Sequence, residues 1–288
     1  MDFQLSDDQR ALKAGVRELL EGRFGRDALR AAVDSPSLDR ELWRELGEAG
    51  FFALRLPEAE GGVGLGLPEA VLAFEEAGRV LLPGPLVATH LAAGSVEGAA
   101  SGTVVVTDVD ESGLVPWLEF ADVVRGDASG AVPTSSVDPL TPLHKVPTAV
   151  GVPDGAVAAL LTAAEQLGSA ARTTEMAVQY AGERQQFGQP IGAFQAVKHL
   201  CAQMLVRAEV ARSAVYAAAV TGDRLEIAGA KLLADDAAVR NARDCLQVHG
   251  GMGFTWEADV HLHLKRAWVR AEFGGSAAQA EEELAAAL

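Results

Sequence analysis

Apolar residues recur at three- and four-residue steps along most of the chain and give way, once, to short β-branched runs near the middle. Ser6-x-x-Gln9 has the form of a capping box, and Leu12, Val16, Leu19 and Leu20 come after it at helical spacing. A second helix is predicted through Leu38, Leu42, Trp43, Leu46 and Ala49, ending at Gly50. After a loop marked by Pro57 and the pair Gly61-Gly62, a third helix is predicted from Leu67 to Leu81, with Val71, Leu72 and Phe74 inward. Pro83-Gly84-Pro85 stops it. Residues 1–98 thus read as a helical region.

Residues 99–150 change character. Thr103-Val104-Val105-Val106-Thr107, Leu114-Val115-Pro116-Trp117 and Ala121-Asp122-Val123-Val124 read as strands, with a turn at Asp127-Ala128-Ser129-Gly130 before Ala131-Val132. Pro133, Pro139, Pro142 and Pro147 break the remainder of this region repeatedly. So small a β unit is too short for a sizeable core of its own. From Asp154 onward the text is helical. Long helices are predicted to about Gly182, from Phe194 to Thr221 and from Arg224 to His249, broken at Gly222-Asp223 and Gly250-Gly251-Met252-Gly253. Shorter helices over 259–271 and 277–287 close the chain. Antiparallel packing into a bundle is the natural outcome.

Composition narrows the function classes. The 288 residues are 49% hydrophobic and 22% charged, which argues for a folded chain. A formal charge of −16 disfavours nucleic acid and anionic membrane surfaces as partners, because both need a basic face. No apolar leader or membrane-length apolar run is visible, so a cytoplasmic location is expected. Cys201 and Cys245 lack metal-ligand spacing and read as two buried, reduced thiols.

Two segments carry candidate chemistry. Glu183-Arg184-Gln185-Gln186-Phe187-Gly188-Gln189-Pro190-Ile191 forms a loop between long helices. Arg184 suits a bidentate contact with a pyrophosphate and Phe187 an apolar wall beside a ring, or else Arg184 pairs with Glu183 in a helix corner. In Gln247-x-x-Gly250-Gly251-x-Gly253 the glycines come after a helix, not a strand, so the dinucleotide fingerprint fails. A helix cap and a close-approach surface both remain open.

Taken together, these segments with Phe194-Gln195-Ala196-Val197-Lys198-His199 resemble the acyl-CoA dehydrogenase family. Met1-Asp2-Phe3, Leu46-Gly47-Glu48-Ala49-Gly50-Phe51, Leu56-Pro57-Glu58-x-x-Gly61-Gly62-x-Gly64-Leu65-Gly66 and Glu75-Glu76-Ala77-Gly78-Arg79 extend the resemblance across nearly the whole chain. It implies a mainly α fold with a small β insert: an N-terminal helical domain (1–98), a reduced middle β domain (99–150) and a C-terminal four-helix bundle (151–288). It also implies FAD as cofactor, an acyl-CoA substrate oxidised at Cα–Cβ, and electron transfer to an electron-transferring flavoprotein. Arg184, Phe187, Gln195, Gln247, Gly250 and Gly251 are, by the same resemblance, the residues that reach a flavin across a subunit interface.

The sequence departs from that family where the base should stand. The family's Tyr-Glu-Gly-Thr segment matches Phe273-Gly274-Gly275-Ser276, so Gly274 holds the base position, and the alternative position on the first long helix is Ala158. Glu272 and Asp154 are near in sequence but displaced along a helix. The usual flavin-ring segments of the middle domain have no match either, and Trp117 is a poor stand-in. These absences resemble the family's bacterial heteromers acting on steroid side-chain CoA thioesters, in which a homologous subunit carries the catalytic Glu. Two alternatives are a self-sufficient flavoprotein with a relocated base and a degenerate, non-enzymatic scaffold subunit.

Overall fold

The computed structural model describes residues 4–147 and 155–287. The Met1-Asp2-Phe3 match, Asp154 and the 150/151 domain boundary lie outside the described residues. At the N-terminus the expected capping box forms: Gln9 N–H donates to Ser6 Oγ at 3.1 Å, and Ser6 N–H donates to Gln9 Oε1 at 3.0 Å. It starts helix α1 (Asp7–Arg23), whose Leu20 is fully buried. Helix α2 (Arg26–Asp34) was not separable in the sequence, since only Leu29 and Val33 mark its buried face amid charges. Helix α3 (Arg40–Glu48) is capped by Asp39 and ends where Gly50 turns at φ +79°. Trp43, Phe51, Phe52 and Phe74 stack into the first part of the core.

Helix α4 (Leu67–Arg79) stops two residues before the expected Leu81, which instead turns at φ +58°. Every residue from Ala70 to Arg79 is buried, including Glu75 and Glu76. Both carboxylates are compensated. Lys13 reaches Glu75 at 2.5 Å, Tyr216 Oη donates to it at 2.6 Å, and Arg17 Nε donates to Glu76 at 2.7 Å. Burial pushes the Glu75 carboxyl up, but Lys13 and Arg212 outweigh it and hold the group below its ordinary range. Helix α5 (Leu86–Ala92), also unmarked in the sequence pattern, leads into the β unit.

That unit consists of β1 (Val106–Asp108), β2 (Leu114–Pro116), β3 (Val123–Arg125), β4 (Val132–Thr134) and β5 (Leu143–Lys145). β1 and β3 pair in parallel, and β2-β5-β4 form an antiparallel sheet around Val109, Val115 and Val146. The β-branched run beginning at Thr103 contributes only Val106 and Thr107 to a strand, because its partner runs alongside only from Val123. Trp117 falls just past β2 at φ +59°, not within it. Pro133 sits inside β4, which pairs on one side only, where a missing N–H is tolerated.

The C-terminal helices are α6 (Gly155–Glu183), α7 (Gln195–Thr221), α8 (Arg224–His249), α9 (Val260–Arg270) and α10 (Ala277–Ala286). A short hairpin of β6 (Gln185–Gln186) and β7 (Gln189–Pro190) joins α6 to α7. α6, α7 and α8 pack on one another, α4 lies on α6, and α9 on α8. The α4–α6 crossing is set by two glycines. A Cβ on Gly78 would stand 2.0 Å from the Glu165 carbonyl oxygen, and one on Gly168 would stand 1.9 Å from that of Glu75. One apolar core runs from α1 through α4 and α6 to α9, and a second gathers around Ala177, Met204, Cys245 and Leu264. Cys245 is buried as expected, its thiol pushed up to about 12 by burial, whereas Cys201 is only half-buried. Among the described residues no helix is long and apolar enough to cross a membrane, and none group as a metal site.

Candidate functional site

The two sequence segments meet at one end of the bundle. Tyr180, one turn before Arg184, stacks on His249 with ring centroids 4.1 Å apart and planes 21° from parallel. His249 Nδ1 lies 2.8 Å from the Cys245 carbonyl oxygen, which fixes its ring. Neither contact was visible in the sequence, although an aromatic ring one turn ahead of a charged loop was a usable signal. Gln195 opens α7 at the same end, exposed, and Gln247 is exposed in the last turn of α8.

The side chains here face outward. Arg184 is exposed and has no ion pair or side-chain hydrogen bond among the described residues. Glu183 does not pair with it, accepting instead from Gln179 Nε2 at 3.0 Å. Phe187 is 91% exposed at φ +53°, edge-on to Phe194 at 6.0 Å. Phe254, 73% exposed, extends the apolar surface past the glycines. An aromatic ring so exposed, on a backbone in the left-handed conformation, is strain with little gain in this chain's own packing.

The glycines divide. Gly250 caps α8 at φ +59°, which a helix end explains. A Cβ on Gly253 would stand 3.0 Å from the Leu246 carbonyl oxygen, so packing explains that one. Gly251 has neither a positive φ nor any atom within 4 Å of a would-be Cβ. Nothing inside the chain requires glycine at 251, and its backbone is open to the outside. An unpartnered guanidinium, an outward ring and a bare backbone step fit a pyrophosphate-bearing ligand such as FAD.

The two base positions lie on one cavity of about 770 Å³, at the junction of α5, the β unit, α6, α8, α9 and α10. Ala158 and Gly274 both line it. Gly274 has φ +73°, and a Cβ there would stand 2.9 Å from the Ala159 Cα and 3.0 Å from its Cβ. The position therefore lacks a carboxylate and is also closed to one. Glu272 lies in an exposed turn and does not line the cavity.

The cavity holds charges that are inconspicuous in the sequence. Arg270 donates through Nη2 to Glu165 Oε1 at 2.7 Å, and each residue is 6% exposed. Arg266 pairs with Asp138, and Lys231 reaches Asp235 at 2.5 Å. Burial raises the Glu165 carboxyl and lowers the Arg270 guanidinium to about 10. A glutamate in the otherwise apolar text Ala163-Ala164-Glu165-Gln166-Leu167 was the available signal.

Known proteins resemble this chain in sequence and in fold. The acyl-CoA dehydrogenase N-terminal domain model matches residues 6–103, and the C-terminal domain model matches residues 156–288. The chain is 35% identical to acyl-CoA dehydrogenase IpdE2 of Mycolicibacterium smegmatis, over 94% of this chain and 96% of that one. It is 36% identical to IpdE2 of Mycobacterium tuberculosis over 91% of each. The ChsE4-ChsE5 complex of Mycobacterium tuberculosis shares the fold at a TM-score of 0.86, with 24% identity, 99% of this chain and 98% of that one covered. A variant of the steroid ACAD Tcur3481-Tcur3483 has a TM-score of 0.83 and 26% identity over 97% of each chain.

Proposed function

This chain belongs to the acyl-CoA dehydrogenase family, and on that premise we propose that it is one subunit of a heteromeric, FAD-dependent enzyme. It completes a flavin site across the interface, while a homologous partner carries the catalytic glutamate. The observation that carries this reading is Gly274: the base position is sterically shut by Ala159. Arg184, Phe187 and Gly251 meanwhile present to the outside a surface the chain does not itself use.

When bound, FAD supplies the acceptor for the hydride leaving the β-carbon of an acyl thioester. The contribution of this chain is binding and orientation. Arg184 donates to the pyrophosphate, Phe187 covers an apolar face, and Gln195 and Gln247 offer amide groups. Gly250 and Gly251 let backbone N–H groups approach. The α-proton needs a carboxylate, which the partner provides. The steroid-type and two-chain names of the structural relatives support a bulky CoA thioester as substrate and an unlike subunit as partner. An electron-transferring flavoprotein is the natural electron acceptor.

The test is co-expression. The chain alone should purify with little visible flavin absorbance and no acyl-CoA dehydrogenation. Co-expressed with a homologue that keeps the glutamate, it should yield a yellow complex with turnover. A homo-oligomer carrying stoichiometric flavin and turning over by itself would overturn the proposal.

A further inference from the structure

Two separate segments build the outward surface. Arg184 and Phe187 follow the end of α6, whereas Gln247, Gly250 and Gly251 stand at the end of α8. Among the described residues no hydrogen bond or ion pair joins residues 183–191 to residues 247–254. The two helix ends share an apolar floor that includes Ala177, Ala181, Leu246 and Val248. Beside it the half-buried rings of Tyr180 and His249 stack, with centroids 4.1 Å apart and planes 21° from parallel. Each ring belongs to a residue bound directly to one half of the site. The Arg184 N–H donates to the Tyr180 carbonyl oxygen at 2.9 Å, and the Arg184 carbonyl oxygen accepts from Ile191 N–H at 2.8 Å. His249 is the last residue of α8, and its ring is pinned twice, by the stack and by Nδ1 at 2.8 Å from the Cys245 carbonyl oxygen.

Gly250 and Gly251 cannot hold themselves in place. A Cβ on either would meet no atom within 4 Å, so no packing restrains this step of the backbone, and glycine leaves it wide conformational freedom. Its direction is inherited from His249. A ligand held by a guanidinium on one side and backbone N–H groups on the other needs the two at a fixed separation. If they are not fixed beforehand, binding must order them, and affinity falls by that cost. We propose that Tyr180 and His249 are positioning residues, whose stack sets the separation between Arg184 and the Gly250–Gly251 backbone so that both hold one ligand at once. The inference rests on the flavin role proposed for this surface and adds to it two side chains that touch neither the reacting atoms nor the base position.

The FAD dissociation constant of the co-expressed heteromer, read from the fluorescence of released flavin, tests this. Tyr180→Leu keeps the apolar floor covered but removes the ring, and should weaken FAD binding about tenfold, while Tyr180→Phe keeps the stack and should stay within about twofold of the parent. His249→Leu removes the stack from the other side and should match Tyr180→Leu, which keeps the test decisive if the latter yields no soluble complex. A double-mutant cycle separates positioning from plain stability. With Arg184→Ala one of the two holds is gone and the separation no longer matters, so adding Tyr180→Leu should cost less than about twofold more. A ring that only stabilised the fold would cost the same about tenfold in both backgrounds, and that additive result overturns the proposal. So does parental FAD affinity in the two leucine variants, or a Tyr180→Phe variant as weak as Tyr180→Leu. Arg184→Ala alone tells the two failures apart. If it leaves FAD affinity at the parental value, the flavin role of the surface falls and the positioning role with it. If it weakens FAD binding while the leucine variants do not, the positioning role alone is wrong.

Discussion

Restoring a side chain at Gly274 is the most direct test of why this chain has no base of its own. The backbone there has φ +73°, and a Cβ would press on Ala159 at 2.9 Å from its Cα and 3.0 Å from its Cβ. The left-handed conformation costs a non-glycine residue about 1–2 kcal/mol. Overpacking against a helix backbone adds about 1–3 kcal/mol. The sum, about 2–5 kcal/mol, corresponds to a fall in thermal midpoint of roughly 5–15 °C. Because the clash begins at Cβ, Gly274→Ala and Gly274→Glu should both show it and differ by less than about 1 kcal/mol. Neither variant should dehydrogenate an acyl-CoA alone. Paired denaturant and thermal unfolding curves, with an activity assay on the same samples, measure all of this. If Gly274→Ala melts like the parent, or Gly274→Glu turns over by itself, the steric argument is wrong.

Particular contacts set the other expected outcomes. Arg184→Ala and Phe187→Ala remove exposed side chains, the second resting edge-on against Phe194, so stability should change by less than about 0.5 kcal/mol. Flavin retention in the heteromer should fall about tenfold or more for the arginine variant, and a stability loss without flavin loss would contradict its role. Gly168→Ala drives a methyl to 1.9 Å from the Glu75 carbonyl oxygen, so α4 and α6 must separate. A loss of more than about 3 kcal/mol, or failure to accumulate soluble protein, is expected, and near-parent unfolding would refute it. His90 and His263 are driven down by burial, to about 4 and about 3. Below their ordinary pKa the unfolded chain binds protons that the folded chain refuses. Stability is therefore intact above about pH 6.5 and should fall by about 1.4 kcal/mol per pH unit for each histidine down to the folded values. Urea titrations from pH 7 to pH 5 measure that slope, and a flat profile would show that both rings take up protons in the folded state.

The sequence alone determined the long helices nearly to the residue: α8 spans Arg224–His249 as expected, and α7 begins one residue after Phe194. A 3.6-residue period sustained over seven turns and ended by glycine is local information, as is the Ser6–Gln9 cap. Arg184, Phe187 and Gly251 are marked by their resemblance to a family motif, and the flavin role read from them belongs to the proposal. Tertiary structure decided the rest. Helices α2 and α5 are too short for periodicity to stand out, and the run from Thr103 is a strand only where β3 accompanies it. Gly274 reads in sequence as a missing carboxylate, and only its contact with Ala159 shows a position closed to any side chain. Glu165 and Arg270, 105 residues apart, become one ion pair only when α6 and α9 pack. Local periodicity is fixed by backbone geometry over a few residues, whereas steric closure and the pairing of buried charges depend on which distant segment arrives at the other side of the contact.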